Sequence, residues 1–136
     1  MKINATLEDR FKTEIQIGKH SYILDREETV GGTDAGTSPT NLLMASVLGC
    51  KVMVAKAFLD ARDLTFDKIE TDIDFDITGP NMHPSAEGVV TIKVIGATLD
   101  DKTQQQLHRI VETGCPVHNL LDPEKTTIET KIEIEN

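Results

Sequence analysis

The stretch SPTNLLMASVLGCKVMVAKAFLDAR, residues 38–62, is the most apolar run of this chain and decides its fold. Ser38 is a residue type that caps helices, and Pro39 suits the first helical position, where a missing N–H costs nothing. We therefore predict a helix that starts at Pro39 and continues to Ala61. Apolar side chains would cover most of its circumference, so the helix needs neighbours on several sides. A chain of this size with one other good helix cannot supply them alone, which predicts a homodimer.

The same helix has the length of a membrane span, but its charges argue against one. Lys51 and Lys56 interrupt the apolar run from Leu42 to Leu59. Each lysine would cost about 2.5–3.5 kcal/mol near the centre of a bilayer. We therefore expect a buried helix of a soluble protein and no membrane partner.

The composition points away from nucleic acid and from secretion. The chain has 23 Asp and Glu against 14 Lys and Arg, a formal net charge of -9, which would repel a polyanion. The first residues, MKINATLEDRFK, lack the apolar core of a secretory signal, which predicts a cytoplasmic protein. With 136 residues the chain is predicted to form a single domain, residues 1–136.

Five further segments predict β-strands, because apolar and polar residues alternate along them or a turn pairs them into a hairpin. Residues 99–114 predict a second helix that Gly114 ends. Its apolar face would carry Leu99, Leu107, Ile110 and Val111. The order β-β-α-β-β-α-β is typical of an α+β fold with a largely antiparallel sheet packed on helices. The predicted strands are residues 11–17, 21–25, 68–78, 88–97 and 126–135.

The cysteine at position 115 has a sequence environment that favours reactivity. Pro116 follows Cys115, and the segment PVHNLL predicts a short helix with Cys115 as its N-cap. A thiolate there would meet free backbone N–H groups and the positive end of the helix dipole, so we expect its pKa to fall below about 8.5. The local pattern equally allows a buried structural cysteine.

The cysteine at position 50 lies deep inside the predicted long helix. Cys50 is twelve residues past Ser38, so the helix dipole does not act on it. Among Val, Leu and Met neighbours a cysteine is more commonly part of the core. To act as a nucleophile, Cys50 needs a cation or base from elsewhere in the fold. Lys51 is about 100° further round the helix and is expected to point away.

The two cysteines are sixty-five positions apart, which excludes a CxxC redox pair, and no cysteine and histidine spacing suits zinc. His118, three residues after Cys115, could reach that thiol as a base or donor within one helical turn. A His118 without a catalytic role is the favoured interpretation.

Three segments together resemble the OsmC/Ohr family. They are GG at 31–32, GTSPTNLLMASVLGC at 36–50 and CPVHNLL at 115–121. The family has a Gly-x-Ser/Asn-Pro-x-x-Leu-Leu segment that leads to a helical cysteine, and a second Cys-Pro-Val segment. The resemblance covers nearly the whole chain. It implies an OsmC-like fold, in which a mostly antiparallel sheet packs on a long buried central helix, and an intertwined homodimer with active sites at the subunit interface.

The resemblance also implies thiol-dependent reduction of organic hydroperoxides. In the family the first cysteine attacks the peroxide and becomes a sulfenic acid, which the second cysteine resolves as a disulfide. Cys50 and Cys115 match those two positions. A dithiol donor would then reduce the disulfide, and the resemblance implies no metal and no organic cofactor.

The family uses a loop arginine to stabilise the thiolate, and a glutamate just after the helix-start proline to hold that arginine. Here the glutamate positions are Thr40 and Asn41, although Asn41 can still accept a hydrogen bond. The neighbouring acidic residues at 27 and 28 could substitute for it. Arg26 is the first candidate for the arginine and Arg10 the second, and both could instead be solvated surface charges.

Two other functions stay open at this point. The missing glutamate allows a redox-responsive or small-molecule-binding protein of the same fold with little peroxidase turnover. A purely structural α+β dimer with two inert cysteines is the third possibility, but it leaves the spacing of the cysteines as a coincidence.

Overall fold

A computed structural model describes residues Met1–Asn136 and confirms the α+β class predicted from the sequence. The chain divides into two compact units, residues 1–44 and 45–136, which are described separately. A single domain over residues 1–136 stays a prediction. The elements are β1 (Ile3–Asp9), β2 (Lys12–Ile17), β3 (His20–Leu24), a 3-10 turn (Glu28–Val30), α1 (Pro39–Ala61), β4 (Lys68–Thr78), β5 (Ser85–Ile95), α2 (Asp101–Thr113), α3 (Pro116–Asn119) and β6 (Thr126–Glu135).

The first unit contains a three-stranded antiparallel sheet in the order β1-β2-β3. The predicted hairpin is confirmed as β2 and β3, joined at Gly18, whose positive φ of 57° suits glycine. β1 was not predicted, although Ile3, Ala5 and Leu7 alternate with polar residues and indicate a strand. All residues of β1 are exposed, so this strand is held in the first sheet mainly by backbone hydrogen bonds to β2.

The loop after β3 is organised by the carboxylate of Asp25, which is only 3% exposed. The Thr33 hydroxyl donates to it at 2.6 Å, and the backbone N–H groups of Arg26 and Ala35 donate at 2.7 and 3.1 Å. The hydrogen bond from Thr33 is the main reason that the pKa of Asp25 falls to about 2, against the opposing effect of burial. The segment that follows β3 is therefore ordered around one carboxylate.

Replacing Asp25 by Asn should remove an acid-sensitive part of the stability. The folded pKa of about 2 lies below the ordinary 3.8, so the stabilisation is complete above about pH 4 and is lost as the pH falls towards 2. The wild-type melting temperature should therefore drop more steeply over this interval than that of Asp25→Asn. Asp34→Asn, at an exposed aspartate of the same loop, should keep the wild-type slope. Equal slopes for wild type and Asp25→Asn would contradict the assignment.

Helix α1 begins where the sequence predicted. The backbone N–H of Asn41 donates to Ser38 Oγ at 3.2 Å, and that of Leu42 donates to the Ser38 carbonyl oxygen at 3.1 Å. Pro39 is the first helical residue. Ser38 therefore caps the helix, as its residue type suggested.

Within the chain, α1 is completely buried only on one side. Val47, Lys51, Ala55 and Leu59 are fully buried, whereas Met53 on the other side is 72% exposed. By length and by its mean hydropathy of 1.8 the helix could cross a membrane, but core helices of soluble proteins pass the same test. We still predict, as from the sequence, that a second subunit covers the exposed side of α1 and that α1 is the central helix of the fold.

The second unit contains a mixed sheet in the order β4-β5-β6. β4 and β5 are antiparallel as predicted, but β6 runs parallel to β5, which corrects the expectation of a largely antiparallel sheet here. The segment between β5 and β6 contains α2 and α3, and a helical crossover of this kind returns the chain in the same direction. The exposed positions of β4 carry four acidic residues, which are Glu70, Asp72, Asp74 and Asp76.

Helix α2 packs against β6 and presents part of its predicted apolar face to the core. Leu107 and Val111 are fully buried, but Ile110 is 40% exposed, so its predicted place on the buried face was wrong. The helix ends at Thr113, and the backbone N–H of Gly114 donates to the Ile110 carbonyl oxygen at 2.7 Å. This end places Cys115 between α2 and α3.

Candidate active site

Cys115 is the N-cap of α3, as the sequence predicted. Its backbone is extended, with φ -87° and ψ 108°, and its sulfur accepts a hydrogen bond from the backbone N–H of His118 at 3.4 Å. Pro116 fixes the start of the helix behind it. The cysteine is completely buried. It is therefore an oriented thiol without direct access to solvent.

The pKa of the Cys115 thiol is raised above its ordinary value, so the predicted lowering was wrong. Burial is the largest cause, and the neighbouring Cys50 thiol acts in the same direction. The backbone N–H of His118 and the charge of Lys51 lower the pKa without outweighing burial. The dipole of a helix of only four residues is small and lowers the pKa of Cys115 little, whereas removal of the thiol from water raises it.

The fold brings the two cysteines together. The thiol of Cys50, in the middle of α1, is near enough to the Cys115 thiol to raise its pKa, and both cysteines are reduced. The Cys115 sulfur also lies 4.0 Å from the carbonyl oxygen of Val47, one turn before Cys50 on the same helix. Cys50 is only partly buried, unlike Cys115. Cys50 is therefore the thiol that a small molecule can reach first.

A buried lysine lies beside this pair. Lys51 is fully buried, and its Nζ donates to the Val111 carbonyl oxygen at 3.0 Å. Burial lowers the pKa of Lys51, while the charges of Cys115, Glu112 and Cys50 raise it in that order. The expectation that Lys51 points away was wrong, because Lys51 lies on the core side of α1. A lysine directly after the cysteine, within a largely apolar run, was the sequence signal for it.

Two further polar groups border the lysine. His118 Nδ1 and Glu112 Oε2 are both buried without a hydrogen-bond partner. Burial is the main reason that the pKa of His118 is lowered, and the charge of Lys51 adds to the lowering. The imidazole is therefore neutral near pH 7. The contact of His118 with Cys115 is made by its backbone N–H and not by its ring.

An apolar groove runs along the exposed side of α1 and includes Cys50 in its wall. Its volume is about 570 Å³. An apolar organic molecule in this groove would lie against the Cys50 thiol, whereas a highly polar one would lose hydration without gaining hydrogen bonds. Besides Cys50, the lining side chains include Ser46, Met53, Val54, Ala57 and Val117.

The candidate arginines lie in the first unit. The Arg26 guanidinium stacks 3.9 Å from the centre of the Phe11 ring, and Arg10 sits in the turn between β1 and β2. The ion pairs of the structure do not include Arg26, so the acidic residues that follow it do not replace the missing glutamate. The Asn41 side-chain amide donates to Thr37 Oγ1 at 3.1 Å instead. Arg26 as the arginine of the site stays a prediction.

No three histidine, cysteine, aspartate or glutamate side chains are grouped so that they could hold a metal ion.

The family model for OsmC-like proteins matches residues 32–131 of this chain. A protein from Psychrobacter arcticus 273-4, assigned to the osmotic stress and detoxification response, superimposes with a TM-score of 0.81 at 20% identity, over 98% of this chain and 95% of that chain. An OsmC-like protein from Mycoplasma pneumoniae gives 0.77 at 16% identity, over 99% and 96%. The organic hydroperoxide resistance protein OsmC from Legionella pneumophila gives 0.74 at 13% identity, over 97% and 95%.

No curated protein matches the sequence closely enough to count as a relative. The structural similarities, at these low identities, show a shared fold. The family match extends over well more than half of the residues and includes both cysteine segments. This chain therefore belongs to the OsmC-like family.

Proposed function

We propose that this protein is a thiol-dependent peroxidase that reduces organic hydroperoxides, with Cys50 as the attacking and Cys115 as the resolving cysteine. One observation carries the proposal: the Cys115 sulfur, far from Cys50 in the chain, lies 4.0 Å from the carbonyl oxygen of Val47, one helical turn before Cys50, and the buried ammonium group of Lys51 is beside both thiols. Family membership supports it, since relatives from Legionella pneumophila and Elizabethkingia anophelis are named organic hydroperoxide resistance proteins.

The reaction begins when the Cys50 thiolate attacks the distal oxygen of a hydroperoxide ROOH. The O–O bond breaks, the sulfur is oxidised by two electrons to a sulfenic acid, and the alkoxide takes up a proton to leave as the alcohol ROH. Cys115 then attacks the sulfenic sulfur, so that an S–S bond forms and water leaves. A dithiol donor supplies two electrons and two protons, which restores both thiols.

Lys51 is suited to stabilise the negative charge in the first step. An ammonium group has three N–H donors, and only one of them is used, by the Val111 carbonyl oxygen. Lys51 takes part in no ion pair. Its remaining donors are therefore free to serve the thiolate and the departing oxygen. Arg26 is proposed as a second cation of the same site.

The proposal includes an intertwined homodimer in the cytoplasm. A helix with an apolar side exposed to water needs cover, and α1 leaves Met53 and Leu43 exposed. A second subunit on this side would also enclose the groove beside Cys50.

A second candidate function is favoured by the apolar groove itself. A groove of about 570 Å³ with a thiol in its wall suits a binding protein or a redox-responsive protein with little peroxidase turnover. In that case hydroperoxide would leave Cys50 unmodified or would react with it only once. The chemical fate of the two sulfurs distinguishes the two functions.

Stoichiometric oxidation should convert the reduced chain into one with an intrachain disulfide. One equivalent of cumene hydroperoxide should lower the mass of the intact chain by two hydrogen atoms. In Cys115→Ser the mass should instead increase by one oxygen atom, as a sulfenic acid on Cys50 that dimedone traps. Intact-protein and peptide mass spectrometry would record both. An unchanged mass in the wild type and no dimedone adduct in Cys115→Ser would favour the binding protein.

A further inference from the structure

Three polar side chains lie around Lys51 at the junction of α2 and α3. Glu112 is near the end of α2, Cys115 lies between the two helices, and His118 belongs to α3. The charge of Lys51 acts on both Cys115 and His118, and the charge of Glu112 acts on both Lys51 and His118. The proposed mechanism gives tasks to Cys115 and Lys51 but none to Glu112 and His118.

The histidine ring has an unused nitrogen inside the protein. His118 Nδ1 is shielded from water and takes part in no hydrogen bond, although a buried polar atom without a partner is destabilising. Native structures retain few such atoms, and a catalytic role is one reason for which they persist. Burial and the charge of Lys51 lower the pKa of His118, so the ring is neutral near pH 7 and one of its nitrogens can accept a proton.

Cys115 needs a base to act as the resolving cysteine. The thiolate, and not the thiol, attacks another sulfur. Burial raises the pKa of Cys115 above its ordinary 9.0, so the thiol is protonated in almost every molecule near pH 7. Cys115 is also completely buried, so hydroxide from the solvent does not reach it directly. A proton acceptor inside the protein would remove this obstacle.

The position of His118 in α3 brings it to the Cys115 sulfur. Cys115 is the N-cap, His118 is the third helical residue, and its backbone N–H already donates to the sulfur at 3.4 Å. A side chain at the third helical position can reach back to the N-cap residue, as it does in a capping box. Nδ1 makes no hydrogen bond in the resting structure. Catalytic contacts commonly tighten only when the reacting partner is in place.

We propose that His118 is the base that takes the proton from Cys115 when this thiol resolves the oxidised Cys50. The S–H proton passes to the imidazole, and the Cys115 thiolate attacks the sulfenic sulfur, so that the S–S bond forms and the S–O bond breaks. The departing hydroxide takes the proton back from the imidazolium and leaves as water. The negative charge of Glu112 favours the imidazolium that forms in between. The sulfenic acid rests on the proposed peroxidase function, whereas proton transfer from Cys115 to His118 does not.

The reagent 4,4′-dithiodipyridine tests the base without a hydroperoxide. The Cys50 thiolate should open this disulfide, release one thiopyridone and keep the other half as a mixed disulfide. Cys115 should then attack the Cys50 sulfur and release the second thiopyridone. With one equivalent of reagent per chain, stopped-flow absorbance records the two releases. Cys115→Ser should give the first release only, which assigns the second to Cys115.

His118→Asn should slow the second release about 10²-fold near pH 7 and leave the first unchanged. Asparagine retains the backbone N–H that contacts the sulfur, but its side chain cannot take up a proton. Hydroxide becomes the base in this variant, so the ratio of the wild-type rate to the variant rate should fall as the pH rises from 6.5. The ratio cancels the effects of Lys51, Glu112 and Cys50, whose charges both proteins share. His83→Asn, at an exposed histidine between β4 and β5, should keep both wild-type rates.

Equal second rates in wild type and His118→Asn, a ratio that does not change with pH, or no second release by the wild type would overturn the proposal. Slowing of the first release in His118→Asn would also overturn it, because the residue would then hold the shape of the site and not move a proton. His118→Gln should behave like His118→Asn and takes its place if the asparagine variant does not fold.

Turnover of cumene hydroperoxide separates this inference from the proposed function. If the second release depends on His118 as expected but the wild type does not consume cumene hydroperoxide, the base stands and the peroxidase fails. If the wild type consumes cumene hydroperoxide but His118→Asn keeps the wild-type second rate, the peroxidase stands and the base fails.

Discussion

Replacing Cys50 by serine should abolish hydroperoxide consumption, with kcat/KM lowered by at least about 10³-fold. A serine hydroxyl has nearly the shape of the thiol, but it does not ionise near neutral pH and cannot form a sulfenic acid. Cys50 is only partly buried, in the wall of an open groove, so the substitution should cost little stability. Hydroperoxide loss measured in the presence of excess dithiol would show the effect.

Cys115→Ser is the matched control, because it changes the same atom at the other sulfur. Serine is a favoured N-cap residue, so Ser at position 115 should still accept the His118 N–H and keep α3 in place. This variant should consume one equivalent of hydroperoxide per chain at the wild-type rate and then slow, because no disulfide can form. Undiminished turnover by Cys50→Ser, or loss of the first equivalent in Cys115→Ser, would remove the assigned order of the two cysteines.

The parts of the site that the sequence predicted correctly are those controlled by local rules. Ser38 and Pro39 fix the start of α1, and Pro116 fixes the start of α3, because capping depends on a few neighbouring residues. The resemblance of the cysteine segments to a family carried the remaining step, that Cys50 and Cys115 meet. No physical rule predicts, from the spacing of these two cysteines in the chain, that they will lie close together.

The parts that the sequence did not predict depend on burial and on long-range pairing. The pKa of Cys115 rises because the thiol is buried, and its burial is set by residues distant in the chain. Lys51 points inwards because the core lies on its side of α1. The sequence could not indicate which side this is, because α1 is apolar around most of its circumference. The parallel direction of β6 follows from the crossover through α2 and α3. The alternation of apolar and polar residues indicates that a segment is a strand but not the direction in which it runs.

Replacing Lys51 by methionine should lower kcat by about 10²-fold, which is typical of removing one charge-stabilising donor from a catalytic site. Methionine has about the length of the lysine alkyl chain without its charge, so the thiolate and the departing oxygen lose their cation. The change also ends the cost of burying an ammonium group but leaves the Val111 carbonyl oxygen without its donor. These two effects oppose each other, and the folded structure should survive.

The pH dependence of the wild type should identify the same group. Burial lowers the pKa of Lys51 from its ordinary 10.5, so its ammonium loses the proton at a lower pH than an exposed lysine does. Activity should therefore decline on the alkaline side below pH 10.5, and Lys51→Met should lack this decline. At pH values between the lowered pKa of Lys51 in the folded protein and its ordinary pKa in the unfolded chain, the unfolded chain binds more protons than the folded one. The free energy of unfolding of the wild type should therefore rise with pH in this range, and that of Lys51→Met should not.

Lys56→Met is the control for Lys51→Met, because it removes an exposed lysine from the same helix, one that forms an ion pair with Asp60. It should keep the wild-type kcat, KM and pH profile. Alkylation of Cys50 by iodoacetamide at pH 7 should be slowed by Lys51→Met and not by Lys56→Met, which reports on the thiolate without any turnover. If Lys51→Met retains the wild-type kcat and alkylation rate, or if both variants lose them equally, Lys51 is not the cation of the site. Arg26 would then be the group to replace, since a thiolate in an apolar groove still requires a positive charge nearby.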